Sequence, residues 1–416
     1  MKRLVVMTTG VLAGVVTGAV LILAAQGISG TGSTTSVVAP SSSSPTDPTS
    51  STLDPSNSED STTTTVESAP DSDQILLVWT PGGLPEGLAE WVSAIAGVNA
   101  VTIVQSDLAH VSATESATGL AVDRPADGYV LPVEVMGFDP VSYPAFLPQA
   151  EAIDFTTVNP DQVILGATSA QIRRLDPGGV ITFDDGSRFT VAAVVDDVLV
   201  GGAEAALPVA EAGPVGVETE RYLLIRYSGR REDVESSIRG GLPDGLAVRI
   251  RAPGETPVLR HGDAVLPQVL IKENFGEFAY RRGSGLTFEI SPDWIEDSID
   301  SAEVPVLGLV TCHRNLLPAL AGAMADLVER NLDFLVDPDG FGGCFNPRYI
   351  ANGKGISRHS WGAAVDINIG SNPEGLESAQ DPRLVATMER WGFTSGHDWL
   401  VPDPGHFEYV RPAQGG

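Results

Sequence analysis

The segment Ser357-Arg358-His359-Ser360-Trp361-Gly362-Ala363-Ala364-Val365-Asp366-Ile367-Asn368-Ile369 decides how the last quarter of the chain folds. From Ala363 its apolar residues alternate. Ala363, Val365, Ile367 and Ile369 point to one face of a strand, and Ala364, Asp366 and Asn368 to the other. The apolar face is the expected core side, so Asp366 is aimed away from it. His359 lies one short turn earlier, with Gly362 letting the chain bend. A second alternation begins in Asp403-Pro404-Gly405-His406-Phe407-Glu408-Tyr409-Val410, with Phe407 and Tyr409 opposite His406, Glu408 and Val410. The expectation is an antiparallel pair that brings His406 beside Asp366 and His359.

Two imidazoles and one carboxylate suit a zinc ion, and three protein ligands leave a fourth position for water. Such an ion lowers the pKa of bound water and polarises a carbonyl. The chemistry also needs a base and a cation. Asp403, across a Pro-Gly turn from His406, is the candidate base, with Glu408 as the alternative. Arg348 is the candidate donor to an oxyanion or a substrate carboxylate. Spacing alone leaves open the reading of all these groups as ordinary surface or buried polar residues.

Working outward, Pro318–Leu335 has helical spacing, with Leu320, Met324, Leu327, Val328, Asn331 and Leu335 on one stripe. A glycine-rich loop follows. Asp381–Trp391 reads as a helix with Asp381 as N-cap, Pro382 in the first position and Gly392 just past the end. Cys312 and Cys344 are the only cysteines. In an exported chain such a pair is first a disulfide, closing a loop of about 30 residues. The histidines outside the constellation, His110, His261, His313 and His397, are expected to be structural or superficial.

Residues 252–304 read as a connector to a domain spanning 305–416. Before it, 74–251 alternates strand, helix and strand twice: 75–79, 85–97 and 98–105, then 221–227, 232–239 and 247–251. Between the two units, Val180–Phe183 and Phe189–Val195 flank Asp185-Gly186, a hairpin signal. The expectation is a separate α/β sandwich of ferredoxin-like form, and the chain as a whole is expected to be α+β.

Residues 30–73 are dominated by Ser, Thr and Pro, with almost no large apolar residue, which predicts a disordered stalk. Before it, Lys2 and Arg3 precede an uncharged apolar run from Leu4 to Ile28. That run is long enough to span a bilayer, and the basic pair favours a single-pass anchor with the remainder outside the cytoplasm. A cleaved signal segment within 1–29 is the competing reading. The formal net charge of -29 argues against a nucleic-acid partner.

The pattern SRHSWGAAVDI followed by DPGHFEYV resembles the M15 metallopeptidases, zinc enzymes that include D-alanyl-D-alanine carboxypeptidases of the VanY type and phage L-alanyl-D-glutamate endopeptidases. The resemblance therefore implies a D,D-carboxypeptidase or a peptidoglycan endopeptidase. The resemblance runs from VTCHR through GGCFNPRYI and covers roughly 305–411. It implies a small α+β domain whose antiparallel sheet holds one zinc through His359, Asp366 and His406. By position it makes Asp403 the acid/base carboxylate, although some relatives carry Glu there. It makes Arg348 a catalytic and substrate-binding arginine, and Ser357 a peptide-binding residue. The implied substrates are peptidoglycan stem peptides. The alternative is a module that has kept the metal and lost catalysis, and so only binds cell-wall peptide. The segments LPEGLAEWVSAIAGV and GGVITFDDGSRFTVAAVV give 74–250 a fainter similarity to extracytoplasmic domains of ABC-type permeases, which implies a protein partner for that domain.

Overall fold

The computed structural model describes residues 74–253, 255, 264–350 and 355–410, together with the backbone of 17–18 and 261–262. Apart from that backbone pair at 17–18, the apolar run 4–28 lies outside the described residues, as do the stalk 30–73 and the side chain of His261. Among the described residues no helix is long and apolar enough to cross a membrane.

Strand β1 (Gln74–Trp79) leads through α1 (Leu88–Ser93) to the long β2 (Val98–Glu115). Then come β3 (Leu131–Phe138), β4 (Gln162–Gly166), α2 (Ala167–Arg173), β5 (Val180–Phe183), β6 (Arg188–Val195) and β7 (Ala205–Pro208). The chain returns as β8 (Glu220–Tyr227), α3 (Arg231–Gly241) and β9 (Arg249–Arg251). The sheet order β9-β1-β8-β2 is antiparallel throughout. This is the split βαβ arrangement expected from the two strand-helix-strand units. Both faces of β1 are buried. Leu76 and Val78 pack with Val92 of α1 and Val234 and Ile238 of α3, whereas Leu77 and Trp79 face the Phe138-Tyr143-Phe155 cluster. That double burial explains an unbroken apolar run where a one-sided strand would alternate.

The insertion between the two units does not form a second sandwich layer. β2 continues past Gln105 and pairs with β3, and the ladder proceeds β3-β7-β4-β6-β5. β5 then pairs with the far end of β2, Val111 opposite Phe183, so the ladder closes on itself. The Asp185-Gly186 hairpin is present as β5 and β6, and Gly186 has φ 92°.

After β9 come α4 (Gln268–Phe275), the β10 (Ile299–Val304) and β11 (Gly308–His313) hairpin, and α5 (Leu317–Glu329). A short sheet follows, in the order β12 (Ala364–Asp366), β14 (Asp403–Tyr409) and β13 (Phe393–Gly396), with α6 (Pro382–Arg390) entering β13. The described part of 252–304 supplies core. Ile271, Phe275, Phe278, Tyr280 and Phe288 belong to one apolar cluster with Leu320, Met324, Trp361, Val365 and Phe407. Helix α5 stops earlier than its apolar spacing suggests. Asn331 adopts φ 56°, Val328 is exposed, and Leu335 lies in a separate single turn. Helix α6 has the expected ends: the Asp381 carboxylate accepts from the Arg383 N–H, and Gly392 has φ 91°. Cys312 and Cys344 form a disulfide with Cα atoms 5.4 Å apart.

Candidate metal centre

His359 sits in a single 3-10 turn, Arg358–Trp361, which Ser357 caps by accepting from the His359 N–H at 3.4 Å. Gly362 ends the turn with φ 61°. A side chain there would bring Cβ within 2.5 Å of the His313 nitrogen, so the tight reversal into β12 requires glycine. Asp366 ends β12 and lies opposite His406 of β14, in the register that the two alternating patterns predict. The glycine-rich loop flanks the other side of Asp366: Gly342 N–H donates to its carbonyl at 2.8 Å, and its own N–H donates to Gly343.

These elements bring three ligand atoms together. His359 Nε2 is 3.1 Å from Asp366 Oδ1 and 3.2 Å from His406 Nδ1, and His406 Nδ1 is 2.9 Å from Asp366 Oδ1. The remaining nitrogen of each ring is engaged elsewhere. His359 Nδ1 lies 2.7 Å from the carbonyl oxygen of Cys344, and His406 Nε2 lies 3.6 Å from Glu408 Oε1. A carbonyl can only accept, so the His359 proton belongs on Nδ1 and the Nε2 lone pair faces Asp366 and His406. A carboxylate or carbonyl behind each ring is the arrangement that orients metal-binding imidazoles. The donor set therefore fits a divalent cation of the zinc type.

The electrostatics point the same way. Burial opposes charge on His406, yet Asp366 and Glu408 outweigh it and push its pKa up to about 10. Burial likewise opposes charge on Asp366, but the two imidazoles hold it well below the usual carboxylate range. The cluster stabilises positive charge at its centre.

Around it stand the other residues expected from the sequence. Burial raises the Asp403 carboxyl and the charge of Asp366 adds to this, against the pull of His406, His359 and Arg348. A carboxyl raised beside a candidate cation site suits proton transfer. Arg348 is held alongside the His359 turn, its N–H donating to Ser360 Oγ at 3.0 Å and its carbonyl accepting from the Ser357 N–H at 3.1 Å. Its charge acts on both Asp403 and Glu374. Ser357 is buried.

Residues 351–409 match the Peptidase_M15_4 family profile, described as D-alanyl-D-alanine carboxypeptidase. The M15 match takes in Ser357, His359, Asp366, Asp403 and His406, while Arg348 lies just before it. None of the curated proteins compared matches the chain. Two solved structures show a distant likeness. One is the periplasmic region of MacB from Actinobacillus actinomycetemcomitans, at 13% identity, over 43% of this chain and 88% of that one, with a TM-score of 0.29. The other is the extracellular domain of the noncanonic ABC-type transporter YknZ from Gram-positive bacteria, at 12% identity, over 42% and 99%, with a TM-score of 0.28. At these scores neither likeness bears on the fold.

Among the described residues, the other histidines stand apart from this cluster. His313 is buried, its Nε2 3.2 Å from the Phe275 carbonyl, and burial lowers its pKa to about 4. His397 pairs with Asp398 at 3.3 Å. His110 contacts Tyr280 Oη. Glu408, the alternative base of the sequence reading, takes another role, and two residues near the centre, Trp399 and Glu374, had no mark in the sequence. Glu408 points with His406, but it is buried and accepts from the Val265 N–H at 2.8 Å, so it braces His406. Trp399 packs on the His406 ring with centroids 5.3 Å apart. Glu374 reaches the neighbourhood of Asp403 because Gly375 N–H donates to the Pro402 carbonyl at 2.6 Å, a pairing that local periodicity does not announce.

Proposed function

We propose that this protein is a zinc-dependent peptidase acting on peptidoglycan stem peptides, with D-alanyl-D-alanine carboxypeptidase activity as its reaction. The observation that carries this reading is the convergence of His359, Asp366 and His406 with the second nitrogen of each ring already engaged. The profile match at 351–409 supports the peptidase class. Zinc, when bound by these three residues, supplies a Lewis acid for the scissile carbonyl and acidifies a water.

The chain's own groups perform the remaining tasks. Asp403 takes a proton from the attacking water and delivers it to the leaving amine, for which its raised pKa suits it. Arg348 offers paired N–H donors to the oxyanion or to the substrate's terminal carboxylate. The Ser357 oxygen accepts from His359, and its own O–H is the donor assigned to the peptide. The disulfide fits an oxidising compartment. It agrees with a protein held in the cell membrane by residues 1–29, with its soluble part outside the cytoplasm and the 74–251 domain open to a protein partner.

The test is mass spectrometry of defined stem peptides incubated with zinc-loaded, chelated and Asp403→Ala protein. Loss of one terminal D-alanine is expected from the loaded wild type. Asp403→Ala should lower turnover by about 10²–10⁴-fold, the range for a general acid-base, while retaining zinc. If zinc binds and no peptide changes in any arm, the chain is a cell-wall peptide-binding module instead.

A further inference from the structure

Helix α4 joins the two halves of the molecule at buried positions. One face carries Gln268 and Lys272, one turn apart. Lys272 Nζ donates to Glu204 Oε2 at 2.7 Å, to Glu277 Oε1 at 2.5 Å, and to the Pro132 carbonyl of β3. Gln268 donates to Glu204 Oε1 at 2.9 Å. Arg173 of α2 completes the cluster, 2.6 Å from both carboxylates. The side chains of Arg173, Glu204 and Lys272 have no exposed surface.

The two ends of the same helix hold the candidate metal centre. Just before α4, the Val265 N–H donates to Glu408, which faces His406, and the Leu266 carbonyl accepts from Arg358, the neighbour of His359, at 2.6 Å. At its other end, the carbonyl of Phe275, the last helical residue, meets His313, and the next carbonyl, of Gly276, accepts from Trp361 Nε1 at 3.1 Å. A second tie is independent of α4. Arg249 of β9 donates to the Asp398 carbonyl at 3.2 Å, and Leu400 packs against the Trp79 cluster, so the loop carrying Trp399 also rests on the N-terminal sheet.

We infer that Lys272 is a positioning residue for the metal centre: through α4 it makes the geometry of His359 and His406 depend on the N-terminal domain. This rests on the reading of those residues as ligands. The mechanism is mechanical. Lys272 fixes the helix against Glu204 and Pro132, and the fixed helix sets where Val265 and Leu266 present their N–H and carbonyl to Glu408 and Arg358. The 74–251 domain is then a structural part of the catalytic unit, and anything that shifts Glu204 shifts the site.

The test uses the full chain with Lys272→Met, Lys272→Arg and Val234→Ala. Val234 is a buried residue of α3 whose apolar cluster contains no residue of α4, so its loss destabilises the same domain without touching that helix. The readouts are the zinc dissociation constant and amide exchange at 364–366 and 406–407 in metal-free protein. Lys272→Met is expected to raise the zinc dissociation constant about 10-fold, the lower range for outer-sphere partners of a metal. It should also speed exchange at those amides, Lys272→Arg should restore both, and Val234→Ala should change neither. If Lys272→Met does not fold, Glu277→Gln puts the same question at the rim of the cluster. A fall in melting temperature with the site unchanged overturns the inference, as do equal effects from Val234→Ala and Lys272→Met. Faster exchange without zinc binding by any form, wild type included, upholds the positioning role and removes the metal reading instead.

Discussion

Two buried polar clusters are both tied to α4 and are built on opposite principles. Around Glu204, two carboxylates meet one guanidinium and one ammonium, so charge is matched within the protein. Around Asp366, a carboxylate and two ring nitrogens converge, while the far sides of both rings are engaged by acceptors. The first cluster is complete and the second asks for a cation. Burial of polar groups is common to both and separates nothing. What separates a brace from a binding centre is whether the opposite charge is supplied from within.

The largest expected effect tests the second cluster directly. Asp366→Asn should weaken zinc binding beyond the roughly 100-fold upper range for outer-sphere partners, with the fold retained. Calorimetric titration measures it, and unchanged affinity would break the comparison.

Next comes the disulfide, which sharpens it by asking what orients His359. Cys312→Ser with Cys344→Ser should cost about 3 kcal/mol of stability by chemical denaturation, from the loop it closes. It should also weaken zinc binding, because the Cys344 carbonyl fixes the His359 proton. A loss of stability with metal affinity intact would detach the two.

The smallest effect concerns the edge of the first cluster. Glu134 is buried, burial raises its carboxyl to about 7 against a partial pull from Arg358, and its Oε2 has no hydrogen-bond partner among the described residues. A carboxyl raised in the folded state holds its proton there while the unfolded chain releases it. Its contribution to stability is therefore full below pH 4.5 and declines as pH rises toward 7. Glu134→Gln should remove that decline, gaining on the order of 2 kcal/mol at pH 8 relative to pH 4.5. Urea titrations at the two pH values decide it, and parallel curves for wild type and variant would show that Glu134 is matched after all.

Much of the candidate centre was legible in the sequence because its elements are local. A period of two around Asp366 and around His406 is enough to predict their strands, and the apolar faces fix the register that places them opposite each other. The capped ends of α6 and the Asp185-Gly186 hairpin are equally local. What escaped depends on distant partners. Residues 268–275 read as a connector because Lys272 and Gln268 interrupt its apolar face, and their burial makes sense only with Glu204 and Pro132 in place. The closed ladder escaped because β2 serves both halves of one sheet, and no pattern within Val98–Glu115 marks where its partner changes from β8 to β3. Helix α5 was read too long because Asn331 breaks it by backbone conformation, at a position where apolar spacing continues.

The nested order of the N-terminal sheet also sets a timetable. Strand β1 is synthesised first, yet its neighbours on either side, β8 and β9, arrive only after the whole insertion has been made. Closing so long a loop is entropically costly and slows the pairing. The insertion, whose strands pair among themselves and with β2, shortens that search when it forms early, because its closed ladder delivers the chain back to β8 beside β2. Until then Ile75–Trp79 is an apolar segment without a partner, and the interval before β8 appears is when this chain is most exposed to misassembly.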